Sequence, residues 1–196
     1  MDSSDNDISS MECQALRSAV IEHYASAWER PWFDQTQMRG PGAQQMRGFS
    51  VLAFGPRPSR QLWTYATCGM SCGESDPQIE LHLLSPTNNL VHVETLTAIA
   101  HYHLTGNHIK TGDTVNFGRP WLGKSLCEFG LISLPYLDGP KVEICNRSQS
   151  TIHCLWLIPI TREERDFKIQ FGLEALEQKF QATDFNYADP RRQSVV

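Results

Sequence analysis

Apolar positions recur at helical spacing near both ends and in the middle of the chain, and form short strand-like runs between. In "MECQALRSAVIEHYASAWER", residues 11–30, Leu16, Val20, Tyr24 and Ala27 return every three or four positions, which predicts a helix that Pro31 stops. The stretch from Pro31 to Gly48, rich in Gly, Gln and Pro, reads as a long loop. "GFSVLAFGP" and "QLWTYATCG" read as short strands split by the turn-prone "GPRPSR", and "QIELHLL" follows Pro77 as a third, with Ile79, Leu81 and Leu83 on one face. The period then switches. In "NNLVHVETLTAIAHYHL", Leu90, Val93, Leu96, Thr97 and Ala100 trace a helical stripe that Asn88 or Asn89 can cap. "GDTVNFG", "CEFGLISLP", "KVEICN" and "STIHCLWLIPI" follow as strands, and Cys145 and Cys154 fall on two of them as cross-strand core neighbours.

The segment "HCLWLIPITREER", residues 153–165, passes from an unbroken apolar run into a charged helix start. Thr161 with Glu164 three residues on forms a capping box, which satisfies two backbone donors that a helix start leaves unpaired. Glu164 and Lys168 are spaced to pair along that helix, Ile169, Leu173, Leu176 and Phe180 make its buried stripe, and Gly172 is a weak point within it. Strands thus come in runs rather than in strict alternation with helices. That order predicts an α+β fold with a central mixed, largely antiparallel sheet flanked by helices. The first ten residues, "MDSSDNDISS", read as disordered, and residues 11–196 as a single domain.

Composition narrows the function. The chain has 196 residues, 40% of them hydrophobic, enough for one sizeable core. Its net charge of −5 comes from interspersed acids and bases, which argues against nucleic-acid binding through a basic patch. The longest clean apolar run, Cys154–Ile160, is strand-sized, so no membrane span is expected. The polar, acidic start is not a signal peptide, and six cysteines without one read as reduced thiols in a cytoplasmic protein.

Three patterns bear on chemistry. "GMSCG", residues 69–73, fits the G-x-S-x-G of a nucleophile elbow, with Asp113 and His153 following in hydrolase order. An elbow needs a helix after the serine, however, and here a Pro-broken loop and another strand follow Ser71. His82, His92, His101, His103 and His108, with Cys68 and Cys72, offer metal-ligand types without any standard ligand spacing. A hydrolase using Ser71 or a histidine-bound metal is therefore the alternative to a binding protein, and no phosphate loop or dinucleotide fingerprint points to a cofactor. Lastly, the Gly-Asp turn in "TGDTVNFG" can present the Asp113 carboxylate to a partner's backbone, with Tyr102 offering an aromatic face near it.

The series "WTYATCGMS" (63–71), "IELHLL" (79–84), "LTAIAHYH…GNHIKTGDTVNFG" (96–118), "CLWLIPITREERDFKIQFGLEAL" (154–176) and "DPRRQSVV" (189–196) resembles the suppressor-of-fused family in its single-domain bacterial form. The likeness is strongest over residues 63–196 and weakens before residue 45. It implies that "CLWLIPI" and its capped helix are fold landmarks, that "GMS" is a structural turn, and that the protein is not an enzyme. Animal members of that family bind a transcription factor of the Hedgehog pathway by holding a short peptide as an added strand, closed over by a second domain absent from the resemblance here. Bacterial members are read as immunity proteins or regulators that bind and neutralise a protein partner. Carried over residue by residue, the resemblance implies that Tyr102 and Asp113 hold the partner's peptide.

Overall fold

The computed structural model describes residues 4–35, 46, 48–73, 76–147, 150–183 and 185–196. Its strands are β1 (Trp32–Asp34), β2 (Ser50–Phe54), β3 (Trp63–Cys68), β4 (Gln78–Ser85), β5 (Thr114–Asn116), β6 (Cys127–Ser133), β7 (Ile144–Asn146) and β8 (Thr151–Thr161). They form an eight-stranded sheet in the order β1-β2-β3-β4-β8-β6-β5, with β7 pairing the start of β8. Only β4 and β8 run parallel; the other pairings are antiparallel. The helices are α1 (Ser4–Trp28), α2 (Leu90–Leu104), α3 (Pro140–Glu143), α4 (Arg162–Phe171) and α5 (Leu173–Ala182). The expected fold class is therefore present.

Burial on both faces explains why β8 reads as a nearly continuous apolar run, whereas β4 alternates and buries the polar Glu80 and His82 between its apolar residues. Ile79, Leu81, Leu83, Leu155 and Leu157 pack under α2 with Leu96, Ile99 and Ala100. The intervening side chains face the other way, where Ile152 and Cys154 meet Val20, Tyr24 and Trp28 of α1. Farther along β8, Trp156, Ile158 and Ile160 meet Leu176 of α5 and the C-terminal tail. A sheet covered on both faces has no solvent side to keep polar.

The strand-to-helix junction holds the tail. The capping box at Thr161 is formed: the Glu164 N–H donates to Thr161 Oγ1 at 3.2 Å, and the Thr161 N–H donates to Glu164 Oε2 at 2.8 Å. Glu164 is fully buried, however, and pairs with Arg192 rather than Lys168. Arg192 Nη1 and Nη2 donate to its two carboxylate oxygens at 2.6 and 2.7 Å, and Nη2 also donates to Pro159 O at 2.8 Å. This fork-on-carboxylate geometry is the strong form of an ion pair. It is invisible to short-range spacing because 28 residues separate the partners.

Several local expectations are corrected. α1 begins at Ser4, within the segment read as disordered, since polarity alone does not stop a helix whose later turns are docked. The loop expected from Pro31 to Gly48 contains β1, because Trp32–Asp34 pair with Leu52–Phe54; 36–45 and 47 lie outside the described residues. "KVEICN" is a turn of helix before the short β7, and Cys145 stands opposite Ile152 rather than Cys154. Gly172, at φ +92, divides the last helix, which resets its face: Leu176 is buried, but Ile169 is 67% exposed. The six cysteines are not all thiols, for Cys13 and Cys72 form a disulfide with their Cα atoms 5.1 Å apart. Among the described residues no helix is long and apolar enough to cross a membrane.

On the α1 face, β4 buries His82 beside Trp28 and 3.8 Å from Asp138, whose other oxygen accepts from Arg60 at 2.8 Å and Trp28 at 3.1 Å. Burial outweighs the pull of Asp138 and brings the His82 pKa from its ordinary 6.5 down to about 4. On the opposite face His92, bonded to Ser85 at 2.8 Å, is lowered to about 4 by burial and by Arg119.

Two predictions follow from these buried groups. Replacing Arg192 with Ala leaves the Glu164 carboxylate buried without its cation, and urea unfolding should show a loss of about 3–5 kcal/mol. The two histidines bind protons less readily folded than unfolded. Their stabilisation is full above pH 6.5, and unfolding free energy should fall by a few kcal/mol as pH drops from there towards 4.

Candidate partner-binding site

The turn before β5 is built to set the angle of an edge strand. Asp113 N donates to Lys110 O at 3.1 Å, and the Asp113 carboxylate accepts from Lys110 N at 3.0 Å, which closes the turn from both sides. Gly112 sits at φ +89, a backbone region that side chains resist, and a Cβ there would touch Leu173 at 3.4 Å. Among the described residues β5 is the last strand on its side of the sheet. Asp113 O accepts from Ile132 N and Phe117 N donates to Glu128 O, both at 2.9 Å, so these residues face β6. Antiparallel alternation then turns the backbone N–H and C=O groups of Thr114 and Asn116 outward, along the free edge.

Beside that edge, β5 and α2 leave a groove of about 270 Å³ lined by Thr95, Ala98, Ile99, Tyr102, Val115, Asn116 and Phe117. Tyr102, 52% exposed, stands in its wall. Asp113 is half-buried at the head of the strand and does not line the groove. The two residues thus flank one edge, Tyr102 through its ring and Asp113 through the turn that aims β5. Gly130 of β6 opposes Val115, and a Cβ on it would come within 2.8 Å of the Phe117 ring. The glycine is what lets Phe117 lie across the sheet as part of the groove.

Pattern reading missed the rest of the lining. Thr95, Ala98, Ile99 and Tyr102 recur at i, i+3, i+4 and i+7, a second helical stripe offset from the core stripe of Val93, Leu96 and Ala100. Such a double stripe was the available signal. Glu94, next to Thr95 on α2, pairs with Arg119 at 2.7 Å, and both are exposed.

The structure disposes differently of the catalytic candidates. Ser71 is fully buried in a 3-10 turn, Met70–Cys72, that leads to β4 rather than to a helix. Its hydroxyl donates to Glu80 at 2.7 Å, and the Gly69 and Ser71 N–H groups donate to the same oxygen at 2.9 and 3.0 Å. Thr67 supplies the other oxygen at 2.6 Å. The G-x-S-x-G pattern is therefore a ring of donors that solvates one buried carboxylate, not an elbow that exposes a nucleophile. The histidines lie on both faces of the sheet, and His103 Nδ1 accepts from Ile109 N at 3.1 Å. Among the described residues no three His, Cys, Asp or Glu side chains converge as metal ligands. Ser71→Ala should accordingly act on stability, with a loss of about 1.5–3 kcal/mol in denaturant unfolding from the bond to a buried charge.

Comparison with known proteins agrees with this architecture. The profile of the suppressor of fused protein family matches residues 42–193. The crystal structure of a suppressor of fused homolog from Neisseria gonorrhoeae FA 1090 superposes with a TM-score of 0.83 at 29% identity, covering 93% of this chain and 98% of that one. The Sufu–Fu complex structure matches with a TM-score of 0.68 at 13% identity, over 92% of each chain. Drosophila Suppressor of Fused matches with a TM-score of 0.65 at 13% identity, over 91% of this chain and 50% of its own. No curated protein matches the chain. A profile match over most of the sequence, on a sheet of this order, places the chain in the suppressor of fused family.

Proposed function

We propose that this chain is a non-catalytic protein-binding module that takes an extended segment of a protein partner onto the free edge of β5. The observation that carries the reading is the coincidence of an outward backbone edge at Thr114 and Asn116 with an apolar groove alongside it. An added strand draws affinity from main-chain hydrogen bonds and specificity from the side chains it places in neighbouring pockets. Tyr102 supplies a ring for one such side chain, and Asp113 holds the turn that presents the strand. The Sufu–Fu complex shows a protein partner bound to a chain of this fold, which supports a partner of that class here.

The proposed role is sequestration in the cytoplasm: the partner's segment is covered while bound, and its activity stops. An immunity protein would act in this way on a toxin domain, a regulator on an endogenous protein. Loss of growth protection when the chain is deleted beside a toxic partner marks the first.

Affinity capture from host lysate with the Tyr102→Ala/Asp113→Ala double variant tests the site. A second variant, Thr114→Pro, removes one outward N–H at the first position of the strand, where proline is tolerated. Both variants should keep the wild-type circular dichroism and lower partner retention by roughly 5- to 30-fold, in proportion to ~1–2 kcal/mol of lost contact. Retention equal to wild type in both would place the interface elsewhere. A hydrolytic activity abolished by Ser71→Ala, with the fold intact, would replace the binding reading by the enzymatic one.

A further inference from the structure

Residues 10–15 of α1 bury no apolar side chain. Ser10, Met11, Glu12, Gln14 and Ala15 are exposed, and the first buried apolar side chain of the helix is Leu16. Within residues 10–15 only Cys13 is half-buried, and it is bonded to Cys72. Cys72 belongs to a firm support: its N–H donates to Gly69 O at 3.3 Å, and the turn it ends is pinned by the bonds to Glu80. The disulfide thus ties an exposed arm to a rigid post. A helical turn that buries no apolar face is marginal in water, so the order of residues 10–15, and of the helix start they carry, depends on the bond.

The bond is also placed for exchange. Cys13 and Cys72 are each only half-buried, within reach of a small thiol. Cys68, four residues before Cys72, is fully buried, and burial together with Glu80 pushes its thiol up to about 12. It therefore provides no thiolate to attack Cys72 from inside. An attacking thiolate has to come from outside the protein.

We propose that the Cys13–Cys72 disulfide is a redox latch: a dithiol reductant releases residues 4–15 as a mobile arm and leaves the helix docked from Leu16 onward. One reductant thiolate attacks Cys13 or Cys72, breaks the S–S bond and forms a mixed disulfide, and the displaced sulfur takes up a proton. The second reductant thiolate then attacks the mixed disulfide, which closes the reductant's own disulfide and leaves the second cysteine to be protonated. Two electrons pass to the protein, and two thiols result. Beyond the release point, Leu16, Val20, Tyr24 and Trp28 remain held by the core beneath α1. The reduced form then has the unstructured acidic start that its composition predicts, and the oxidised form has a helix there.

Amide hydrogen exchange read by mass spectrometry tests this directly, on the full chain with and without dithiothreitol. Exchange times of seconds to minutes are used, where local opening dominates. Reduction should speed exchange over residues 4–15 by at least about 10-fold while residues 16–28 and β2–β4 keep their protection. The Cys13→Ser/Cys72→Ser variant should show the reduced pattern with or without dithiothreitol. Unchanged exchange over residues 4–15 on reduction would overturn the latch. So would loss of protection through residues 16–28, which would make the bond a staple of the whole fold, and so would a count of six free thiols in protein purified without reductant.

Discussion

Every side chain of β8 from Cys154 to Thr161 is buried, so this strand has to be covered on both faces at once. Most of the architecture answers that demand. α2 covers one face, α1 covers the start of the other, and α5 with the C-terminal tail covers its end. β4 pairs one edge of β8 over residues 152–156, and β6 pairs the other over residues 156–161. The buried Glu164–Arg192 pair is the fastener that this arrangement requires, since the tail lies over Trp156 and Ile160 only if something returns it to the end of β8. From Cys154 to Thr161 this strand exposes no side chain, and the Glu164–Arg192 pair holds the junction that follows it.

The proposed binding site lies at the border of the sheet. Three residues of β5 are enough to end the sheet without closing it, and short edge strands are a familiar protection against unwanted pairing. Here the edge lies next to a groove whose wall includes an exposed tyrosine and whose shape relies on Gly130 leaving room for Phe117. On the proposed reading, such an edge selects its added strand by side chain as well as by backbone.

Much of the fold was legible in the sequence because it rests on short-range periodicity. The strands β2, β3, β4, β6 and β8, the Asn89 cap of α2 and the Thr161 capping box all follow from alternation or from residues three positions apart. What was not legible depends on contacts made across the chain. Spacing pairs Glu164 with Lys168, four residues away, and nothing local announces Arg192. The absence of a signal peptide points to reduced thiols, and nothing local announces the pairing of Cys13 with Cys72, which spans 59 residues. Ser71 looked like a nucleophile in pattern, and only the burial of Glu80 beside it explains why its glycines and hydroxyl are there. Tyr102 and Asp113 were carried over from a family resemblance, and the groove that gives Tyr102 a setting was missed because its stripe runs beside the core stripe on the same helix.

Site-specific photocrosslinking compares the two ends of the sheet most directly. A benzophenone side chain is placed at Asn116 on β5 and, in a second protein, at Phe33 on β1, the strand at the opposite edge. If the partner adds to β5, one protein is captured from Asn116 and not from Phe33. Capture from Phe33 alone, or equally from both, would contradict binding at the β5 edge.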